Sequence, residues 1–361
     1  MSPSLRFPEF TGEWEKCKIE DITDAVSSGK SKNHFSNGEY NLYGSTGIIG
    51  RTDKALYDGK LVLVARVGAN AGFLQIINEP CGITDNTLIL KPKGIDAFYL
   101  YYFLQHFNLN RLIFGSGQPL ITGGMLKKVK VSLGTISEQS KIVKFLSLLD
   151  ERIAVQNRLI EDLKKLRCAI VEKMFKQSKA NGRLGDFIEQ VSVRNKNGLY
   201  SNVLSVSNKQ GFVKQSEQFE DRTVASEDTS NYKIVKRNNF AYNPARINVG
   251  SIARLTKFDV GIVSPMYVCF RTKASIIPEY MEAFFTSQQF FYEMMKRLEG
   301  SVRLCLSYEG LCNIPVYIPD MNKQIAMGQN ISLILSKIGL EIEYLGRLHQ
   351  QKQYLLRKMF I

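Results

Sequence analysis

One internal repeat constrains this chain more than any other feature. Residues 115–175 align without a gap with residues 300–360, at a constant offset of 185 positions. The aligned stretches end on the same tripeptide, Lys173-Met174-Phe175 in the first and Lys358-Met359-Phe360 in the second. Each stretch includes the end of a glycine-bearing mixed segment and the whole of a long helical segment. The repeat therefore predicts a domain–helix–domain–helix chain with internal pseudo-twofold symmetry.

Each long helical segment carries a heptad seam. From Glu138 onward, apolar residues fall at alternating spacings of four and three, and neither proline nor glycine interrupts residues 138–177. This spacing is typical of a coiled coil, and the second segment repeats it. The predicted seam residues are Ile142, Leu146, Leu149, Ile153, Ile160, Leu163, Ile170, Ile331, Ile334, Ile338, Leu345, Leu348 and Leu355.

Polar residues interrupt both seams at matching positions. Gln156 corresponds to Glu341, and Arg167 corresponds to Lys352. Two helices with the same seam and the same interruptions are expected to pack on each other, as a parallel or an antiparallel pair. The alternative is that each helix packs only on its own domain. A helix of about 36 residues spans about 54 Å, long enough to act as a rigid spacer between two domains.

The segments that precede the helices are predicted to be mixed domains. We place the first domain at residues 1–137 and its helix at 138–177, and the second domain at 178–320 and its helix at 321–361. Short apolar runs between turn residues predict several strands and one amphipathic helix in each domain. These are the strands Leu61–Val64, Thr87–Leu90, Gly250–Ala253 and Tyr267–Phe270, and the helices Phe98–Phe107 and Pro278–Phe291.

Three polar, glycine-bearing loops occur in the same order in both domains. Glycine lets the backbone approach a ligand closely, hydroxyl and backbone N–H groups suit phosphate oxygens, and arginine, asparagine and glutamine suit base edges. A single loop of this kind is as often a simple turn, but three in the same order predict a DNA-reading surface in each domain. The loops are residues 43–48, 65–72 and 115–120 in the first domain, and 205–212, 245–250 and 300–304 in the second.

Candidate DNA-binding residues follow from these loops and from nearby basic positions. Those predicted to reach base edges or the adjacent backbone are Arg66, Asn70, Gln118, Lys209, Gln210, Arg246, Asn248 and Arg303. Those predicted to engage phosphates are Lys30, Lys32, Lys127, Lys128, Lys214 and Arg222, and the loops add Tyr43, Ser45, Ser116 and Ser301. Gln118 and Arg303 occupy equivalent positions after an unchanged Gly-Ser pair, as expected of two domains that read different base sequences.

The charge balance points to a polyanionic partner. The 361 residues contain 48 Lys+Arg against 34 Asp+Glu, a net charge of +14, and the excess is spread along the chain. We therefore expect a basic surface, made by folding, for nucleic acid. Hydrophobic residues make up 44% of the chain, enough for real cores. No apolar run approaches a membrane span and no signal-peptide pattern is found, so a soluble, cytosolic protein is expected.

Catalytic and metal-binding motifs are not found in the sequence. The six cysteines form no CxxC pair and are accompanied by three histidines, so we expect reduced cysteines and no structural zinc site. Gly29-Lys30-Ser31 resembles the end of a P-loop, but Asp24 stands where glycine is needed. Tyr242-Asn243-Pro244 resembles the start of an adenine methyltransferase motif, which Ala245 breaks. We therefore expect neither catalytic activity nor a cofactor in this chain.

The layout of the whole chain resembles the specificity subunit of type I restriction–modification systems. The most family-like stretches are Tyr43–Gly50 with Asp58-Gly59, Ala65–Ala69, Gly115–Thr122 and the helix opening Glu138–Ile142. The resemblance implies an α+β fold with two mixed α/β target recognition domains, each of which reads one half of a bipartite DNA sequence. It also implies that the two long helices form an antiparallel coiled coil, which fixes the spacing between the half-sites.

The same resemblance implies partners. Two modification subunits, which methylate adenine with S-adenosylmethionine, are expected to dock on the coiled coil of a chain that contributes no catalytic residue. The resemblance leaves open whether nuclease–translocase subunits join them. The chain departs from the family pattern in its second helix, which contains Gly328, Gly339 and Gly346 and begins with the weaker match Asn322-Lys323-Gln324. These departures leave the register of that helix open.

Two other classes of function also fit parts of the sequence. One is a protein-binding coiled-coil scaffold without DNA specificity. The other is an enzyme, such as a nuclease, fused to its own recognition domain. The lack of a carboxylate cluster with a nearby lysine at a strand end argues against the second class.

Overall fold

The chain divides into two compact units. In the computed structural model, which describes residues 2–32, 37–113, 117–176, 179–208, 210–218, 228–301 and 303–361, one unit is Met1–Asn157 with Glu343–Ile361 and the other is Arg158–Ile342. Each unit contains one mixed domain and about half of each long helix.

The first unit is built on a four-stranded antiparallel sheet. Its strands are β1 (Glu15–Lys18), β2 (Thr23–Ser28), β3 (Tyr40–Gly44), β4 (Gly47–Thr52), β5 (Lys60–Ala65), β6 (Leu74–Asn78), β7 (Cys81–Ile83), β8 (Thr87–Pro92) and β9 (Lys130–Leu133), and its helices are α1 (Ala97–Phe107), α2 (Gly123–Lys127) and the start of α3 (Ile136–Lys176). The large sheet has the order β2-β8-β5-β6, the second sheet has the order β4-β3-β7, and β1 pairs with β9. Strand β5 is central because residues 61–65 are an unbroken run of buried apolar side chains.

The second unit contains a domain of the same kind. Its strands are β10 (Gly182–Arg183), β11 (Ile188–Gln190), β12 (Val203–Ser207), β13 (Gly211–Lys214), β14 (Lys233–Lys236), β15 (Phe240–Tyr242), β16 (Ile252–Arg254), β17 (Val260–Val263), β18 (Val268–Thr272) and β19 (Pro315–Val316). Its helices are the end of α3, α4 (Leu184–Phe187), α5 (Gln215–Gln218), α6 (Pro278–Phe285), α7 (Gln288–Met295), α8 (Tyr308–Cys312) and the start of α9 (Met321–Met359). The sheets have the orders β11-β18-β15-β16 and β13-β12-β17-β14, and β10 pairs with β19.

The two domains share one topology. The order β2-β8-β5-β6 in the first sheet corresponds to β11-β18-β15-β16 in the second, and the parallel pair β3 and β7 corresponds to the parallel pair β12 and β17. The duplication therefore covers a whole domain, far more than the aligned sequence stretch shows. The expected α+β architecture with an internal repeat is confirmed.

Equivalent aromatic residues anchor each long helix to a domain. The hydroxyl of Tyr99 on α1 donates to the Ser132 carbonyl at 2.9 Å. The hydroxyl of Tyr280 on α6 donates at 2.8 Å to the carbonyl of Tyr317, which lies 185 positions after Ser132 in the sequence. Phe360, at the end of α9, packs on Tyr99, whereas Phe175, at the end of α3, packs on Tyr280, both with ring centroids 5.3 Å apart. Each unit therefore receives the C-terminal end of one long helix through the same pair of rings.

The long helices pack as an antiparallel pair in the first unit. Lys352 Nζ lies 2.6 Å from Asp150 Oδ1, and Arg152 lies over the ring of Tyr344. Residue numbers therefore increase along α3 in the direction in which they decrease along α9, so the two helices are antiparallel. All of the predicted seam residues are buried or half-buried. The polar interruption at Lys352 is thus satisfied by an ion pair, a type of contact that specifies register in coiled coils.

One predicted helix of the second unit differs from the sequence-based expectation. The helix predicted over Pro278–Phe291 is two helices, because Ser287 Oγ caps the start of α7 by accepting from the Phe290 N–H at 3.1 Å. Gly328 in α9 is a close approach, since a Cβ there would lie 2.9 Å from Glu279 Cβ. No such neighbour exists within 4 Å at Gly339 or Gly346 among the described residues.

Candidate nucleic-acid interface

In the first unit the predicted loops meet beside the turn between β7 and β8. The carbonyl oxygen of Asn86, in that turn, accepts hydrogen bonds from Ser45 Oγ at 3.3 Å and from the Arg66 N–H at 3.0 Å. The carbonyl of Arg66 in turn accepts from the Ile121 N–H at 2.8 Å, which fixes the third loop. Segments far apart in sequence are therefore held together by two main-chain hydrogen bonds and by the hydroxyl of Ser45, which is used within the fold.

Two main-chain hydrogen bonds of these loops recur in the second unit, whereas the bond from the Arg66 N–H to the Asn86 carbonyl has no counterpart among the described residues there. In the first unit the Ala65 N–H donates to the Phe73 carbonyl at 2.9 Å, and 178 residues further on the Asn243 N–H donates to the Ser251 carbonyl at 3.1 Å. The same loop ends in a left-handed glycine in both units, Gly72 with φ of 89° and Gly250 with φ of 90°. The second predicted loop thus begins and ends in the same way in both units.

The third loop is attached to the second by the same bond in both units. Ile121 N–H donates to the Arg66 carbonyl, and Leu306 N–H, 185 positions later, donates to the Pro244 carbonyl at 3.1 Å. Equivalent residues of the two second loops are 178 positions apart in the sequence, whereas those of the third loops are 185 apart. Arg66 therefore corresponds to Pro244, not to Arg246. The structural counterpart of Arg246 is Gly68.

The two arginines of the second loops have different surroundings. Arg66 is half-buried, and its buried Nε has no hydrogen-bond partner among the described residues. A buried guanidinium nitrogen without a partner is costly, so an acceptor from outside the described chain would stabilise it. Arg246 is exposed to solvent. Asn70 and Asn248 occupy equivalent places in the two loops, and Asn70 is exposed whereas Asn248 is half-buried.

The third loops carry their predicted side chains at the surface. Gln118 is exposed beside the second loop, since a Cβ on Gly68 would lie 4.0 Å from Gln118 Nε2. In the second unit, paired hydrogen bonds between Glu299 and Cys305, at 2.9 and 2.8 Å, close a hairpin that carries exposed Ser301 and Arg303.

A cavity of about 240 Å³ lies at the corresponding end of the second domain. Its lining includes Ser205, Asn243, Arg246, Ser264 and Met266, which come from β12, the second loop and the turn after β17. The structure thus brings the predicted Arg246 together with a turn that the sequence did not single out.

The predicted phosphate contacts lie at different distances from the loops. Lys30 lies beside the turn formed by residues 84–86. Its two neighbours bond to either side of that turn: the Gly29 N–H donates to the Thr87 carbonyl at 3.0 Å, and the Ser31 N–H donates to the Ile83 carbonyl at 2.9 Å. Lys32 is exposed just beyond it. Three other lysines predicted to contact phosphates are exposed at the ends of elements. Lys127 and Lys128 lie where α2 ends, and Lys214 lies where β13 ends.

The remaining predicted residues are placed as follows. Tyr43 uses its hydroxyl internally: it donates to Glu79 Oε1 at 2.6 Å, and this bond together with one from Asn41 lowers the pKa of Glu79. Gln210 is exposed in the β12–β13 turn, where its carbonyl accepts from Lys257 Nζ at 3.3 Å. Three predicted residues, Ser116, Lys209 and Arg222, lie outside the described residues.

Sequence reasoning missed the turns that organise both loop clusters. Asp85 and Asn86 are exposed between β7 and β8, and Pro265 and Met266 are exposed between β17 and β18. The Asp-Asn pair between two apolar runs was a readable turn signal in the first domain. In the second domain Ser264-Pro265 was an equally readable turn signal.

Neither a candidate metal site nor a membrane-spanning helix is present in the part of the chain that the structure describes. The described residues contain no group of three or more His, Cys, Asp or Glu side chains that could hold a metal ion. Within the same residues, no helix is long and apolar enough to cross a membrane.

Comparisons with known proteins agree on one family. Residues 11–165 match the family model described as Type I restriction modification DNA specificity domain. A putative type I specificity subunit of Mycoplasma genitalium is 28% identical over 189 residues, which are 50% of this chain and 49% of that protein. The MjaVIII type I restriction enzyme specificity subunit of Methanocaldococcus jannaschii is 31% identical over 119 residues, which are 32% of this chain and 28% of that protein. The chain thus spans about half or less of the curated relatives it matches.

Solved structures show the same fold over the full chain. The crystal structure of a type I restriction–modification S subunit from M. genitalium superimposes with a TM-score of 0.65 at 20% identity, covering 100% of this chain and 99% of that one. A structure from a study of type I complex assembly and conformational transition gives 0.57 at 11% identity, covering 97% and 98%. The resemblance to type I specificity subunits is therefore confirmed.

Proposed function

We propose that this chain, which carries a type I restriction modification DNA specificity domain in residues 11–165, is the DNA-recognition subunit of a type I restriction–modification complex. One observation carries the proposal: two main-chain hydrogen bonds that hold the second and third loops occur in both units, and the loops they hold present different exposed side chains. Phosphate contacts position a protein on DNA, whereas base-edge contacts specify the sequence. A constant frame with changed side chains is suited to two readers of different sequences.

Each unit would read one half of a bipartite target. The loop clusters lie in separate units, each with its own core and its own half of the long helices. The antiparallel pairing of α3 with α9 supports a role for these helices as the spacer that sets the distance between the half-sites. The net charge of +14 supports electrostatic attraction to the phosphate backbone.

The long helices also present surfaces that suit two copies of one partner. Leu148 and Val155 on α3 are 56% and 62% exposed, and Leu333 and Leu340, each 185 positions later on α9, are 68% and 62% exposed. Exposed apolar side chains at seven-residue spacing favour helix–helix contact. We assign these two patches to the docking of two adenine methyltransferase subunits. Those subunits would bind S-adenosylmethionine and perform the chemistry, while this chain supplies recognition.

A domain exchange tests the proposed function. Replacing residues 178–320 with the same domain of a relative should change one recognised half-site and leave the other half-site unchanged. The readout is the set of methylated adenines in cells that express the chimaera with the methyltransferase. An unchanged target would refute the proposal.

A binding experiment separates this function from a pure assembly scaffold. The full chain should shift random duplex DNA at low salt, and the shift should weaken at moderate salt, because bound counterions are released when lysines and arginines meet phosphates. A scaffold without DNA specificity would give no shift at either salt concentration.

A further inference from the structure

We infer that the two readers differ in one defined base contact: Arg303 reads a guanine in the half-site of the second unit, and Gln118 reads an adenine at the equivalent place in the half-site of the first. The inference rests on the proposed DNA-recognition function and deepens it. It follows from the equivalence of two positions, the freedom of their side chains and the chemistry of the base edges.

The two positions are equivalent in structure as well as in sequence. Gln118 precedes by three residues the Ile121 N–H that donates to the second loop at 2.8 Å. Arg303 precedes by three residues the Leu306 N–H that makes the same bond at 3.1 Å. One attachment is therefore common to both positions, whereas the residues after Gln118 also pair with the second loop and those after Arg303 pair within their own hairpin.

Both side chains are free to bind a ligand. Gln118 and Arg303 are exposed, and neither has a hydrogen-bond or ion-pair partner among the described residues. This contrasts with Arg254 in the same unit, which pairs with Glu279 and Glu282 and is held in the fold. An exposed, unpaired guanidinium on a tightly closed hairpin is suited to contact with something outside the chain.

The chemistry of the base edges then assigns the bases. The guanidinium of arginine matches the O6 and N7 acceptors of guanine in the major groove, whereas the amide of glutamine matches the N6 donor and N7 acceptor of adenine. A correct bidentate contact gives a preference of about 5- to 160-fold over the wrong base. One exchange of Gln for Arg is therefore enough to change the preferred base at one position.

Positions near Gln118 and Arg303 also carry different side chains in the two units. Arg246 stands where the first unit has Gly68, so the second reader adds a further guanidinium beside the third loop. In the turns that organise the clusters, Asp85 and Asn86 are exposed in the first unit, whereas Met266 is 57% exposed in the second. Asparagine suits adenine, and an apolar side chain suits the thymine methyl group. At these positions the second unit thus adds a guanidinium and an exposed apolar side chain where the first unit has Gly68 and Asn86.

Reciprocal exchanges provide the test. The full chain and its Arg303→Gln and Gln118→Arg variants are each incubated with a pool of DNA duplexes randomised over both half-sites, and the bound fraction is sequenced. Arg303→Gln should turn one guanine of one half-site into adenine, and Gln118→Arg should turn one adenine of the other half-site into guanine. Each change should be about 5- to 160-fold in relative enrichment.

The variant Lys236→Gln is a matched control, because it removes one positive charge and changes no loop residue. Lys236 is exposed at the end of β14, paired with Val260 at the start of β17, so it lies at the opposite end of the sheet from the turn after β17. Lys236→Gln should leave the enriched sequence unchanged. Circular dichroism melting of every variant checks that the fold is retained.

The outcomes separate three possibilities. If Arg303→Gln weakens binding to all sequences alike, flattens the salt dependence by about one unit and leaves the motif unchanged, Arg303 contacts phosphate and the inference is wrong. If both exchanges leave the motif unchanged while binding persists, the inference is also wrong. If the unmodified chain enriches no sequence at all, the proposed function itself fails.

Discussion

Gln139 and Gln324 occupy the same position of the repeat, near the start of each long helix, but they have different partners. The Oε1 of Gln324 accepts from the Ile277 N–H at 3.0 Å, and its Nε2 donates to the Ser275 and Pro319 carbonyls at 3.1 and 2.9 Å. The Nε2 of Gln139 donates to one carbonyl at 2.9 Å, and its buried Oε1 has no partner among the described residues. Replacing each glutamine with alanine should therefore have unequal effects.

The expected magnitudes follow from the bonds lost. A buried hydrogen bond contributes about 1 kcal/mol net, so Gln324→Ala, which removes three, should destabilise its helix start by about 3 kcal/mol. Gln139→Ala removes one such bond, but it also removes an oxygen whose unsatisfied burial costs about 1–3 kcal/mol, so its net effect should be near zero. Both side chains are almost fully buried, at 3% and 1% exposed, so the packing lost is similar and cancels in the comparison.

Hydrogen exchange followed by mass spectrometry measures the two sites separately. Amides in the first turns of α9 should exchange about 150-fold faster in Gln324→Ala than in the unmodified chain, which is the factor that about 3 kcal/mol represents. Amides in the first turns of α3 should be nearly unaffected by Gln139→Ala. Equal acceleration at both helix starts, or a larger effect in Gln139→Ala, would refute this use of hydrogen-bond counts.

Four further outcomes are expected. Phe360→Ala should lower the free energy of unfolding of the first unit by about 3–5 kcal/mol, because it empties a site lined by aromatic rings. Burial lowers the pKa of His106 below its ordinary value of 6.5, so the neutral form is favoured in the fold; the first unit should lose stability as pH falls below about 6.5, and His106→Gln should reduce that loss. Leu148→Glu and Leu333→Glu should each remove one methyltransferase subunit from the complex, as size-exclusion chromatography with light scattering would show. Lys214→Gln should weaken binding to all DNA sequences equally and flatten the salt slope by about one unit.

Each of these outcomes has a contradicting result. A Phe360→Ala chain that melts like the unmodified one would show that its ring packing is dispensable. If His106→Gln retains the full acid sensitivity, other groups are responsible for it. A double Leu148→Glu, Leu333→Glu chain that still binds two methyltransferase subunits would place the docking surface elsewhere. A change in the preferred sequence of Lys214→Gln would mean that Lys214 contacts a base.

Local patterns in the sequence were sufficient for the two long helices and the main strands of the first domain. The seam from Ile142 to Leu355 predicted a coiled coil, and the apolar runs Leu61–Val64 and Thr87–Leu90 lie inside β5 and β8. The order of the polar loops and the family resemblance were also readable from the chain. These features depend on residues that are neighbours in sequence, and their periodicity records which face is buried.

The tertiary structure alone decided which residues of the two readers correspond. Matching the Ala-Arg pairs in sequence would align Arg66 with Arg246, but the hydrogen bonds align Arg246 with Gly68 because the offset changes from 185 to 178 between the third loop and the second. The break between α6 and α7 and the role of the Asn86 carbonyl were equally hidden. Which carbonyl an N–H meets depends on backbone segments brought together by the fold, and no local pattern records that meeting. The sequence by itself thus determined that this chain has two mixed domains and two long heptad-bearing helices, whereas only the three-dimensional arrangement decided which side chains each domain presents in its loops.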